Sequence, residues 1–218
     1  ASKLTNDIIS GQTELAATPA DTDEFLVSDA GTIKRIDYSL IKSSPGMTLI
    51  KETDASNVSA VTFTHGSDSV VFDSTYKVYF FTFTNVLLAS DEELFIRALS
   101  GGSALTSGYW SGQYGSQGTP TSPSDYSDRY ENAFFGSPGD AESTIPVSGY
   151  AYFYNAGGTS IYPQAMGQAF LQRSNGNHYA FNFSGYYKTA ISNFNGFTFT
   201  NNGGGNISSG NFKLYGIK

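Results

Sequence analysis

At 218 residues the chain is long enough for one domain of ordinary to large size plus an appendage, and for a core that holds without covalent staples. Charged residues make up only 14% and aromatics 15%, with 24 glycines, a mix that favours sheet over helix because aromatic side chains suit a pleated surface and glycine serves turns. The formal charge of −7 is spread along the chain, which argues against a nucleic-acid partner, and the lack of cysteine excludes a disulfide framework, a thiolate zinc site and a cysteine nucleophile.

The start, "ASKLTNDIIS", lacks the hydrophobic centre of a signal peptide, and no apolar run approaches the roughly 20 residues that span a bilayer. The expectation is a chain made without an export signal and without membrane insertion. "KLTNDIISGQTELAATPADT" predicts a short helical or irregular lead that ends at Pro19 and Ala20. A hairpin follows in "DEFLVSDAGTIKRIDYSLIK": Phe25 and Val27 alternate with Leu26 and Ser28, "DAGT" turns the chain at Gly31 where a positive φ is cheap, and a second strand carries Ile33, Ile36, Tyr38 and Leu40. Its imperfect alternation predicts a bulge near Lys34 and Arg35. An isolated hairpin of this size is marginal in water. Its apolar residues, Phe25, Val27, Ile33, Ile36, Tyr38 and Leu40, are therefore the candidates for attachment and oligomerisation.

"KSSPGM", residues 42–47, reads as a linker and places a boundary between a hairpin module at 1–45 and a larger domain at 46–218. Beyond it the strand patterns are "AVTFTH", "YKVYFFTFT", "ELFIRALS", "GYAYFYN", "QAFLQRS", "HYAFNFSGYY", "FTFT" and "NFKLYGIK", each closed by a turn-forming residue. In the second of these Val78, Phe80 and Thr82 share one face and Tyr79, Phe81 and Phe83 the other, so both faces are apolar at the centre. Such a strand belongs in the middle of a sandwich, or between a sandwich and a partner chain. No convincing helix separates the runs. The fold expected is all-β, an antiparallel β-sandwich of jelly-roll-like kind behind an N-terminal hairpin module. Residues 101–148, rich in glycine, serine, proline and tyrosine, read as a long loop region, the first place to look for recognition.

The search for chemistry is mostly negative. His65 and His178 show no spacing to a catalytic partner, and there is no nucleophile elbow, zinc-protease motif or phosphate-binding loop. "DTDE" at 21–24 and "DEE" at 91–93 read as solvated strand entrances, and "GQYGSQG" and "NNGGGN" read as turns. No catalytic residue, metal or cofactor is expected. What remains is the aromatic content of the 101–148 region: Tyr109, Trp110, Tyr114, Tyr126 and Tyr130, interleaved with Asp125, Asp128 and Arg129. Flat apolar rings with donors and acceptors beside them are the chemistry that holds neutral sugars, and these residues form the candidate ligand site. The same aromatics could equally cap the open end of a sandwich or meet a symmetry mate.

"AATPADTDEFLVSDAGTIKRIDYSLIK" resembles a short module that recurs in structural proteins of tailed bacteriophages, marine phages especially. "ELFIRALSGGSALTSGYW" and the closing "NISSGNFKLYGIK" resemble the sandwich domain that terminates many such proteins. These segments make up well under half of the chain, as patterns of strand and turn. The resemblance implies a virion component, most often a fibre or spike forming trimers, and it brings no catalytic residues to carry over. The resulting expectation is a non-enzymatic tail fibre or receptor-binding protein. It would be a homotrimer in the virion, assembled in the host cytoplasm, joined to other virion proteins through its N-terminal module and displaying the sandwich to a host-surface glycan. A capsid decoration protein or head fibre is one alternative. A polysaccharide hydrolase, using two of Asp125, Asp128 and Glu131, is the alternative of another class.

Overall fold

Two residues with positive φ, Ala30 at 49° and Gly31 at 85°, reverse the chain between β1 (Glu24–Asp29) and β2 (Thr32–Asp37). A two-residue turn of this hand matches the twist of paired strands, so the ladder runs without a slip from Asp29↔Thr32 to Glu24↔Asp37. The bulge expected near Lys34 and Arg35 is not there: the regular register puts Phe25 opposite Ile36 and Ser28 opposite Ile33, leaving apolar residues on both faces. The second strand also ends earlier than its pattern suggested. Tyr38 and Leu40 lie in a single helical turn, α1 (Tyr38–Ile41), where the Tyr38 ring meets Phe25 at 6.0 Å. Ion pairs Lys34–Asp29, Arg35–Glu24 and Lys42–Asp21 decorate the module. None of its described residues is buried, and Leu26, Ile33 and Leu40 stay exposed.

The computed structural model describes residues 13–42, 46–119, 121–137, 142–158 and 160–218. Most of the expected lead, residues 1–12, and the linker positions 43–45 lie outside the described residues; from 13 to 23 the chain is irregular. The chain divides into two units, Ala1–Pro45 and Gly46–Lys218.

The second unit contains β3 (Met47–Val58), β4 (Ala60–Thr64), β5 (Val78–Leu88), β6 (Leu94–Ser100), β7 (Ser103–Ala104), β8 (Tyr109–Thr119), β9 (Ser122–Tyr130) and β10 (Phe135–Gly136). It continues with β11 (Val147–Tyr154), β12 (Gln164–Gln172), β13 (His178–Tyr187), β14 (Phe194–Asn201) and β15 (Ile207–Ile217). These form a wide sheet of eight strands in the order β3-β15-β5-β11-β12-β13-β8-β9, and a narrow one in the order β10-β6-β14-β4 with β7 beside β6. The fold is therefore the all-β antiparallel sandwich expected, preceded by a small hairpin sheet.

Alternation builds the core. Phe81, Phe83, Phe153, Phe181, Phe183 and Phe212 point inward from the wide sheet and are buried, as are Phe63, Ile96, Phe197 and Phe199 from the narrow one. The rings interlock edge to face across the gap, Phe81 with Phe199 at 5.6 Å and Phe63 with Phe81 at 5.0 Å, the geometry that aromatic quadrupoles favour. Each buried ring contributes about 1.5–3 kcal/mol of transfer free energy, enough for a core built from packing alone.

Residues 101–148 depart most from the sequence reading. In place of a long loop they supply β7, β8, β9 and β10 and the start of β11, with β8 and β9 paired from Ser111↔Tyr130 to Thr119↔Ser122 at one edge of the wide sheet. The inward positions of β8 after Tyr109 are Ser111, Gln113, Gly115 and Gln117, so no apolar alternation marks the strand. Hydrogen bonds replace it. Ser111 Oγ donates to the carbonyls of Tyr130 (3.1 Å) and Ala133 (2.8 Å), and Gln113 Nε2 donates to the carbonyl of Gly136 (2.8 Å).

Candidate functional site

Strand parity sorts the eight candidate ligand residues, and it does not gather them. Tyr109 is fully buried: its hydroxyl donates to the Leu105 carbonyl and accepts the Ala98 N–H, both at 3.0 Å. Tyr130 is buried as well, its ring edge-on to Phe95 at 5.6 Å and its hydroxyl donating to Glu93 Oε1 at 2.6 Å. Tyr126 also faces inward, against Tyr179 (5.5 Å) and Phe181 (6.2 Å), and donates to Asp128 Oδ2 at 3.1 Å. Burial raises the pKa of all three phenols above the ordinary tyrosine value, Asp128 adding to the effect at Tyr126 and Glu93 at Tyr130. These three rings are structural. Asp125 and Arg129 are exposed on β9 and alternate with Asp128, so Asp125 and Asp128 project to opposite sides of the strand.

Trp110 and Tyr114 alone among the aromatics of that set point outward, 55% and 60% exposed. The register shows what they join. Across the outer face of the wide sheet, Trp110 stands opposite Tyr186, Tyr186 opposite Gln164, and Gln164 opposite Tyr154. Two residues further along, Gly112, Ser184, Met166, Tyr152 and Phe80 follow in the same way, and two further still Tyr114, Asn182, Gln168, Tyr150 and Thr82. Across these five strands the sheet face is thus tiled with aromatic rings and polar side chains. Phe170, Tyr186 and Met166 are exposed with Trp110 and Tyr114. The strand patterns at 76–84, 149–155, 168–174 and 178–187 contained every one of the side chains from outside β8 apart from Gln164 and Met166, but only the pairing register places them on one face with Trp110.

The surface is hollowed where small residues interrupt the rings. One depression, of about 630 Å³, lies over Gly112 and Ser184 and is walled by Tyr114, Tyr150, Tyr152 and Met166. A second, of about 530 Å³, lies over Thr82, Ser148 and Ala180 and is walled by Phe80, Tyr150 and Phe170. Tyr150, Gln168 and Asn182 line both. Between them Gln168 Nε2 donates to Asn182 Oδ1 at 2.6 Å. Lys188 Nζ sits 5.2 Å from the centre of the Trp110 ring at the margin, and Tyr186 meets Trp110 at 6.0 Å. The arrangement can stack flat apolar faces of a ligand and hydrogen-bond its hydroxyl groups.

His65 has a local role, its Nδ1 accepting the Phe72 N–H at 2.9 Å, while His178 opens β13 opposite Gly118 and Gln172. Asp91 accepts the Ser143 N–H at 2.8 Å, which lowers its pKa. Among the described residues no group of three or more histidine and acidic side chains is placed to hold a metal ion, and no helix is long and apolar enough to cross a membrane. Compared with family models, with curated proteins and with solved structures, the chain finds no match.

Proposed function

We propose that the chain is a non-enzymatic structural protein of a phage virion, a tail fibre or receptor-binding protein, whose sandwich recognises a host-surface glycan through the outer face of its wide sheet. The observation that carries the reading is that face: Tyr114, Tyr150, Tyr152 and Phe170 stand outward over two depressions lined with amide and hydroxyl groups, and Trp110 is exposed on the same face beside them. A solvent-facing sheet ordinarily carries polar side chains, and an aromatic one of this extent marks a surface meant to be covered. The N-terminal module supplies the other half of the proposal. With no buried residue among those described and with Phe25, Leu26, Ile33, Leu40 and Ile41 exposed, it is suited to closing a shared core with copies of itself in a trimer and to joining other virion proteins.

The apolar half of the same face favours a second reading. Leu49 stands opposite Tyr215, Tyr215 opposite Phe80 and Phe80 opposite Tyr152, with Met47 exposed beside them. A capsid decoration protein or head fibre would cover those residues with protein. Immunolabelling of the chain on intact particles separates the two, tail tips or fibres for the first and the shell for the second. Adsorption competition then tests recognition. The purified chain blocks phage attachment to host cells and a Trp110→Ala chain blocks it less; a purified chain that leaves attachment unchanged contradicts the proposal.

A further inference from the structure

Resting on the glycan reading above, we infer that the ligand is an uncharged, linear oligosaccharide lying across the strands, bound over several sugar units rather than by one terminal residue. Four observations on the outer face lead there: its extent, its continuity, its charge and its central polar rung.

The two depressions overlap at Tyr150, Gln168 and Asn182 and run from Gly112 and Tyr114 on β8 to Thr82 and Thr84 on β5. Five neighbouring strands, β8, β13, β12, β11 and β5, lie along that line. Four inter-strand gaps of about 4.8 Å give a trough of roughly 19 Å, the length of a short oligosaccharide and far more than one ring needs. Aromatic walls recur along it, Tyr114 and Tyr152 in the first depression, Tyr150 at the saddle, Phe80 and Phe170 in the second. Repeated stacking platforms suit a repeating ligand. Two further hollows flank Trp110, along β8 from Tyr114 rather than across the strands, one of them lined also by Arg129 and Glu131.

Charge is nearly absent from the lining. Asp128 is the one charged residue among those around the two depressions, and its carboxylate already accepts the Tyr126 hydroxyl at 3.1 Å and the Arg129 N–H at 2.7 Å. The nearest basic residues on this face stand at the ends: Arg129 lies opposite Gly112, Lys188 lies over Trp110, and Lys213, opposite Thr82, pairs with Glu52 at 3.2 Å. An acidic sugar centred on Tyr150, Gln168 and Asn182 finds no cation there, which is costly, whereas hydroxyls find ready partners. At the saddle the Gln168 amide spends one N–H on Asn182 Oδ1, leaving the Gln168 carbonyl oxygen and the Asn182 amide N–H as an adjacent acceptor and donor. Vicinal sugar hydroxyls present the complementary pair.

The test titrates the intact 218-residue chain with ladders of linear neutral oligosaccharides, from mono- to hexasaccharide, of β-1,4-linked glucose, mannose and N-acetylglucosamine and of α-1,4-linked glucose. Sialylated and sulfated glycans run in parallel, with Trp110 fluorescence and calorimetry as readouts. At least one neutral ladder is expected to bind with affinity rising about tenfold or more from mono- to tetrasaccharide, each added stacking contact contributing, and with little change on raising salt. In a chain folded by circular dichroism, Asn182→Ala then weakens the tetrasaccharide by about tenfold. A ladder bound as well by its monosaccharide as by its tetrasaccharide overturns the extended mode, and binding confined to acidic glycans and lost in salt overturns neutrality; both leave glycan recognition standing. Tetrasaccharide binding that Asn182→Ala does not weaken overturns the assignment to this trough. Failure of every glycan to bind overturns this inference and the glycan reading together, and if Tyr114→Ala or Tyr150→Ala then changes the sedimentation coefficient, the face is an interface between copies.

Discussion

Tyr109 and Trp110 are chain neighbours whose rings lie on opposite sides of the wide sheet, one fully buried and one 55% exposed. The alternation of a strand separates them, and it separates their roles. Tyr109→Phe removes the hydroxyl that joins the Ala98 N–H to the Leu105 carbonyl and leaves both unpaired in the interior, a loss of about 1–3 kcal/mol. Trp110→Ala changes stability by about 0.5 kcal/mol at most, since surface positions seldom do more. Urea unfolding of the two variants checks this. Equal destabilisation would contradict the assignment of Trp110 to a free surface.

Alkaline pH tests the buried phenols. Tyr79, whose hydroxyl donates to the Asp73 carbonyl at 3.1 Å, has a pKa pushed up to about 12, chiefly by burial, and Tyr109 and Tyr130 are raised in the same direction. A phenol whose folded pKa is raised supports the fold fully below the unfolded value of about 10. That support is lost as pH climbs from there through the folded value. Phenolate absorbance is expected in two stages, the later one, from the buried rings, coincident with loss of β-sheet circular dichroism. A single early stage with the sheet intact would show that the rings are open to water.

The division at Pro45 and Gly46 yields a third expectation. A chain starting at Gly46 keeps every described residue of the sandwich core, since none of these comes from the first unit. It should fold with an unchanged sheet spectrum and sediment as a smaller species than the full chain. An insoluble product would make the hairpin module part of the core, and unchanged self-association would move the oligomer contact to the sandwich.

Much of the fold is legible in the sequence because its strands advertise themselves. "HYAFNFSGYY" alternates with period two and so sets the core rings Phe181 and Phe183 on one face, while "YKVYFFTFT", apolar on both faces, groups Phe81 with Phe83 without choosing them over Phe80. β8 stays hidden because Ser111, Gln113 and Gly115 occupy its inward positions and are held by hydrogen bonds, which leave no hydrophobic pattern. Reading that stretch as a loop put Tyr109, Tyr126 and Tyr130 on one surface with Trp110, where strand parity divides them. The partners that Trp110 does have, Tyr186 in register and Gln164 and Tyr154 beyond, come from strands far along the chain. Long-range register is a property of the packed sheet, and no local pattern announces it.

The two methionines offer the most direct test of the central claim that the outer face of the wide sheet is the recognition surface. Met166 lines the first depression, its sulfur 3.6 Å from the Tyr154 hydroxyl, while Met47 lies at the far edge of the same sheet on β3. With ¹³C-methyl methionine the intact chain gives one signal from each. Titration with a neutral tetrasaccharide that it binds is predicted to shift the Met166 methyl progressively and to leave Met47 in place. Saturation with both methyl signals unmoved, or with Met47 alone displaced, would contradict the account.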